Sequence, residues 1–150
     1  MRDFFLKDNL EHYRPWITQL ADEKIAALPF GEAFDFIEKF SRPFPLSVIM
    51  HVLGIPLEMI DRAFAWTVAN VNVLSQVADK ELLLASHAQL KEEYDWFVEA
   101  LAERRTAPRD DLLSHIAHIE IDGRPMTTEE QLSHCTQFLV AGNETTTATL

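Results

Sequence analysis

A chain of 150 residues, 47% hydrophobic and 25% charged, has the composition of a globular domain with enough apolar residues for one ordinary core. Its formal net charge of -11 repels phosphate backbones, and its few basic groups gather only locally at Arg104, Arg105 and Arg109, so nucleic acid is not an expected partner. No run of about 18 uncharged apolar residues is present, MRDFFLKDNL does not read as a secretory leader, and the single cysteine, Cys135, cannot form an internal disulfide; the expectation is a cytoplasmic protein that does not engage a membrane.

Apolar residues recur on one helical face at Leu10, Tyr13, Ile17, Leu20 and Ile25, and Pro29 with Gly31 ends this first helix. FDFIEKFSRPFPLSVIMHVLGIP opens with aromatics, is interrupted by Pro43 and Pro45, and resumes as the apolar helix LSVIMHVL. Gly54 suits the left-handed residue that closes it, and Pro56 can open the next helix, LEMIDRAFAWTVANVNVL. The pattern breaks near Ala78 and Asp79. Leu83, Leu90, Tyr94, Phe97 and Leu101 then form a helical stripe that ends at the basic Arg104 and Arg105.

A short helix, DDLLSHIAH, precedes IEIDGRPM, in which Asp122-Gly123 suits a tight hairpin within about residues 119–126. Thr127 and Glu130 have capping-box spacing, and the last helix runs from about Thr128 with a pattern still helical at Leu150. The fold class read from pattern is mainly α with one small β hairpin. No repeat or low-complexity segment interrupts it.

The last helix breaks local rules after Phe138–Ala141, a stretch apolar on every side that implies burial all round. Gly142 and the threonines at 145, 146, 147 and 149 give up roughly 3 kcal/mol of helix propensity. Glu144 must find a partner, shift its pKa or reach water. Two readings are open. Gly142 serves close helix packing while the threonines bond the preceding turn; or Gly142 lets a flat ligand approach, Thr145 bonds a carbonyl near Ala141 and loosens the ladder there, and Glu144 with Thr145 passes protons to the ligand.

AGNETT at Ala141–Thr146 resembles the A/G-G-x-D/E-T-T/S signature of the distal helix of cytochrome P450 monooxygenases, and DDLLSHIAHIEIDGRPMTTEEQLSHCTQFLVAGNETT is similar to the bacterial soluble members in one register. SVIMHVLGIP resembles the family's V-I-x-x-L-L-G-V/I-P segment. The resemblance implies a cytochrome P450 fold fragment, with residues 1–150 as the central part of one domain and a cofactor of haem b (iron protoporphyrin IX). It implies Thr145 and Glu144 as catalytic residues, Ala141, Gly142, Thr145 and Thr146 against the haem, and Gln137, Phe138, Val140 and Ala141 toward the substrate. It further implies dioxygen, a small hydrophobic organic substrate and a ferredoxin-type or flavin electron donor as partners. Val73, Leu74 and Val77 become contacts of a mobile roof.

The family's axial cysteine lies in a Phe-Gly-rich loop that this sequence does not contain. Cys135 reads as a buried core residue at helical spacing with Leu132 and Leu139, not as the iron ligand. The expectation is a segment of a longer enzyme, inactive alone, with a non-catalytic acidic helical binding protein as the alternative. His115 and His118, with His134 more remote, could share a metal but read more simply as a solvated surface. Glu92, Glu93, Asp95 and Glu99 read as one solvated acidic face.

Overall fold

The computed structural model describes residues 2–5, 10–75 and 79–150. Within them lie six α-helices, α1 (Arg14–Ala26), α2 (Pro43–Leu53), α3 (Ile60–Ser75), α4 (Lys80–Thr106), α5 (Leu112–His118) and α6 (Thr128–Thr147), and one antiparallel hairpin of β1 (Glu120–Ile121) and β2 (Arg124–Pro125). The mainly α class with one small hairpin is the architecture observed. Among the described residues no helix is long and apolar enough to cross a membrane.

Helix ends follow the side chains that satisfy them. Asp79 accepts from Leu82 N–H (2.9 Å) to begin α4, and Asp111 accepts from Ser114 N–H (2.8 Å) to begin α5. Both halves of the capping box form at α6, with Glu130 N–H donating to Thr127 Oγ1 (3.2 Å) and Thr127 N–H to Glu130 Oε2 (2.8 Å). Arg124 grips the same carboxylate with both terminal nitrogens, holding the Glu130 carboxyl down at about 2. Asp122 (φ 53°) and Gly123 (φ 76°) both take left-handed backbone, the combination a two-residue hairpin loop requires.

Two expectations are corrected. Pro43 and Pro45 do not interrupt α2 but stand in its first turn, where a missing N–H leaves no helical bond unmade. A π-helical turn at Ile37–Ser41, closed by Arg42 N–H donating to Ile37 O (2.9 Å), precedes them and stacks Phe36, Phe40 and Phe44 at centroid spacings of 5.3 and 5.2 Å. At the other end, α6 closes at Thr147, and Thr149 and Leu150 N–H donate back to Thr146 O.

The core gathers Leu46, Met50 and Leu53 of α2, Trp66 of α3, Phe97 of α4 and Leu139 of α6. Its edge is tied by charge. Arg104, 2% exposed near the end of α4, donates Nε–H to Asp111 Oδ2 (2.8 Å) and a terminal N–H to the Gly54 carbonyl (3.2 Å). Gly54 closes α2 at φ 88°, and a Cβ there would lie 2.7 Å from Asp111 Cγ. The ends of α2 and α4 and the start of α5 therefore meet at one ion pair. Asp111→Ala takes the buried carboxylate from Arg104, leaving it the half-exposed Glu103 (3.0 Å) and the Gly54 carbonyl, and removes the α5 cap, so urea denaturation of the intact protein is expected to show a loss of about 3 kcal/mol. A loss below about 1 kcal/mol, the size of an exposed pair, would show that the knot is dispensable.

Candidate functional site

Two stripes with four-residue spacing divide α6. Cys135, Leu139 and Asn143 are buried, whereas Ser133, Gln137, Ala141 and Thr145 are exposed along another edge. The helix expected to be buried all round at Phe138–Ala141 is therefore open at Ala141 and half-buried at Phe138 and Val140. Cys135 is fully buried as expected; burial foremost, then the Glu93 carboxylate, pushes its thiol up to about 12. It stays protonated and inside the core.

Gly142 does not join the open edge. A Cβ there would lie 2.8 Å from Ile49 Cδ1, so the missing side chain admits α2, the packing role that is one of the two readings. Thr145 Oγ1 does donate to Ala141 O (2.8 Å), but α6 continues unbroken through Thr147 and the ladder is not loosened. Thr149 donates in the same way to Thr145 O (2.8 Å), and Thr147 donates to Oδ1 of Asn143, which is 1% exposed. Thr146 is exposed. Glu144 is half-buried and reaches water, without a side-chain hydrogen bond or ion pair among the described residues.

Beside the open edge lies a groove of about 630 Å³ between α6 and the paired helices α3 and α4, lined chiefly by apolar surface, with Leu74, Leu132, Val140 and Ala141 in its wall. Gln137, Val140 and Ala141 line it together with Leu74. Phe138 does not, because its ring packs against Phe5 (5.2 Å between centroids) and His134 (6.4 Å) on another side of α6. Val73 is exposed at the end of α3, and Val77 lies outside the described residues.

The groove's polar floor was missed. Glu93 is only 2% exposed rather than part of the solvated acidic face, and its carboxylate joins three helices. Oε2 accepts from Asn70 Nδ2 of α3 (2.7 Å) and Oε1 accepts from Thr136 Oγ1 of α6 (2.9 Å). Asn70 and Thr136 both line the groove. Burial raises the Glu93 pKa, and the two neutral donors only partly oppose it. A signal was available, since Glu93 falls on the stripe of Leu90, Phe97 and Leu101 while the neighbouring Tyr94 is 50% exposed at the groove. Among the described residues no three His, Cys, Asp or Glu side chains are grouped to hold a metal; His118 Nδ1 is bonded to Ser114 O (2.8 Å).

No protein-family model matches the chain. It is 32% identical over 141 residues to a putative cytochrome P450, YjiB, of Bacillus subtilis, covering 92% of this chain and 36% of that one. It is 30% identical over 143 residues to the vitamin D(3) 25-hydroxylase of Pseudonocardia autotrophica, covering 95% and 34%. Among solved structures, ligand-free cytochrome P450 TbtJ1 superposes with a TM-score of 0.82 at 34% identity, over 95% of this chain and 38% of that chain. The Bacillus subtilis polyketide-synthase cytochrome P450 PksS does so with a TM-score of 0.84 at 28% identity, over 97% and 36%. The chain spans about a third of the length of these curated relatives.

The Glu93 arrangement has a pH signature. A carboxyl whose folded pKa is raised binds its proton more tightly in the folded chain, so its stabilising contribution is complete below the unfolded value and is lost as pH rises through the folded one. The stability of the intact protein minus that of its Glu93→Gln variant, from urea denaturation at a series of pH values, is therefore expected to fall as pH rises from about 4. A difference that rises with pH would contradict the assignment.

Proposed function

We propose, from the premise that the chain belongs to the cytochrome P450 family, that residues 1–150 form the central part of one monooxygenase domain. Its intact form activates dioxygen and inserts one oxygen atom into a small hydrophobic organic substrate. The family implies a haem iron, which we take to be in haem b; bound haem supplies the iron at which dioxygen is reduced and cleaved. The electron donor in this reading is a ferredoxin-type or flavin protein.

The open edge at Ala141 and Thr145 carries the proposal. A flat ring needs a helix face that is accessible and free of bulk, and Ala141 with Thr145 supplies one on the side away from the buried stripe. Ala141 and Thr145 fit such a ring, with Thr146 at its margin. Gly142 acts one step behind by letting α2 seat against α6. The purely structural alternative, an acidic helical binding protein, accounts for Gly142 but not for this bare edge. Cys135, buried and protonated, does not supply the axial sulfur, so the isolated chain is expected to lack monooxygenase activity.

Proton handling follows from where the hydroxyl hydrogen goes. With that hydrogen on Ala141 O, Thr145 Oγ1 offers lone pairs outward and holds a water or a protonated oxygen by accepting from it. Rotation about χ1 or the C–O bond gives up one hydrogen bond, of about 1 kcal/mol net, and turns the donor outward. Glu144, next in the chain and in contact with water, restores the proton from solvent. Ala141 lines the groove and its carbonyl receives the Thr145 hydroxyl, so substrate and proton donor meet at one residue in this reading.

Thr145→Ala in the intact enzyme is expected to leave haem binding nearly unchanged and to alter stability by only a few tenths of a kcal/mol. Most reduced oxygen should then leave as hydrogen peroxide instead of product. Measuring peroxide and product against reductant consumed decides the matter, and unaltered coupling would remove Thr145 from the proposed role.

A further inference from the structure

Two polar groups of the groove, the Asn70 amide and the Thr136 hydroxyl, have their directions set by the interior. Both N–H bonds of the Asn70 amide are committed, to Trp66 O (2.9 Å) and to Glu93 Oε2 (2.7 Å). Trp66 O can only accept and Glu93 Oε2 accepts from the same amide, so reversing it would set its carbonyl oxygen against the Trp66 carbonyl, and the orientation is locked. Glu93 is held in turn by Thr136, whose hydroxyl is spent on Oε1. The Asn70 carbonyl oxygen has no donor among the described residues, and it is not one of the sealed, unpartnered polar atoms of the interior. It is an open acceptor on the groove wall. The remaining polar groups there, on Tyr94, Glu129, Ser133 and Gln137, belong to exposed side chains whose direction the interior does not fix.

We infer that the Asn70 carbonyl oxygen is a specificity-determining acceptor, selecting an amphipathic organic molecule that brings a neutral hydroxyl to this end of the groove. The inference rests on the reading of the groove as the substrate site and names the substrate's chemical class. A carboxylate end is disfavoured, because it would face the Asn70 oxygen with Glu93 behind it and Glu129 at the groove wall. The apolar remainder lies along Leu132 and Val140 toward Ala141. Thr136 and Thr145 are nine residues apart on α6, which at the helical rise per residue is about 13 Å. The hydroxyl is thus an anchor, and the carbon presented at the Thr145 edge is remote from it.

The test is isothermal titration calorimetry of the intact protein with 1-decanol and with decyl methyl ether, which keeps the oxygen as an acceptor but loses the donor. Wild type is expected to bind the alcohol about 2–12-fold more tightly, the range of one net hydrogen bond. Asn70→Leu should bring the two affinities together. Because that change also leaves Glu93 short of a donor, Glu93→Gln provides a second reading: its amide oxygen still accepts from Asn70 while Trp66 O holds that amide unreversed, so the preference for the alcohol should persist, and its loss there would show that the Asn70 oxygen does not set it. Equal affinities in wild type, or a preference that survives Asn70→Leu, would overturn the selective acceptor while leaving the oxygen chemistry at Thr145 untouched. Failure of both ligands to bind would overturn the groove as the ligand site, and with it this inference.

Discussion

The meeting of α2, α4 and α5 depends on the buried ion pair between Arg104 and Asp111. Asp111 lies 7 residues from Arg104 and Gly54 lies 50 away, so the guanidinium ties the end of α4 both to the adjoining start of α5 and to the distant end of α2. A buried pair of this kind adds little net stability relative to apolar residues of the same volume, because two charges have lost their water. Its effect here is geometric. The guanidinium needs acceptors in one plane, the Gly54 carbonyl and the Asp111 carboxylate provide them, and only a residue without a Cβ leaves space for that carboxylate. Once α2 and α4 are registered there, Ile49 faces Gly142 and Glu93 faces α3 and α6.

The rule-breaking end of α6 resolves into a division of labour between faces. Asn143 continues the buried stripe of Cys135 and Leu139, and its carbonyl oxygen receives the Thr147 hydroxyl. Thr145 and Thr149 satisfy themselves on carbonyls four residues earlier. The propensity lost to Gly142 and the threonines is thus spread over two tasks. Gly142 admits a neighbouring helix, and the hydroxyls let small polar residues stand on an edge without leaving backbone acceptors bare.

Local signals in the sequence carried the elements: the caps at Asp111 and Thr127, the left-handed Gly54 and the Asp122-Gly123 turn act within a few residues of themselves. The π turn at Ile37–Ser41 was not legible, because it depends on one extra residue in a hydrogen-bond ring rather than on any residue type. For the candidate site the limit was directional. AGNETT singled out one stretch of α6, yet the sequence could not tell that Gly142 looks toward Ile49 while Ala141 looks outward, since adjacent helical positions differ by about 100° and only tertiary neighbours decide which side is filled. Glu93 was obscured by its acidic neighbours Glu92, Asp95 and Glu99, though its place on the apolar stripe set it apart.

Two carboxylates are buried among the described residues, and the difference between them explains how one chain of strong negative charge builds both a frame and a selective groove. Asp111 faces a guanidinium, so opposite charges compensate and the result is a fixed meeting of chain ends. Glu93 faces an amide and a hydroxyl, neutral donors that orient themselves without cancelling its charge. Orientation passes outward from it: the acid takes the Asn70 N–H, and the opposite end of that amide dipole is left for the groove. A hydrophobic residue at position 93 could fill the same volume and join the same helices, but it could not determine whether the wall of the groove accepts a hydrogen bond or donates one.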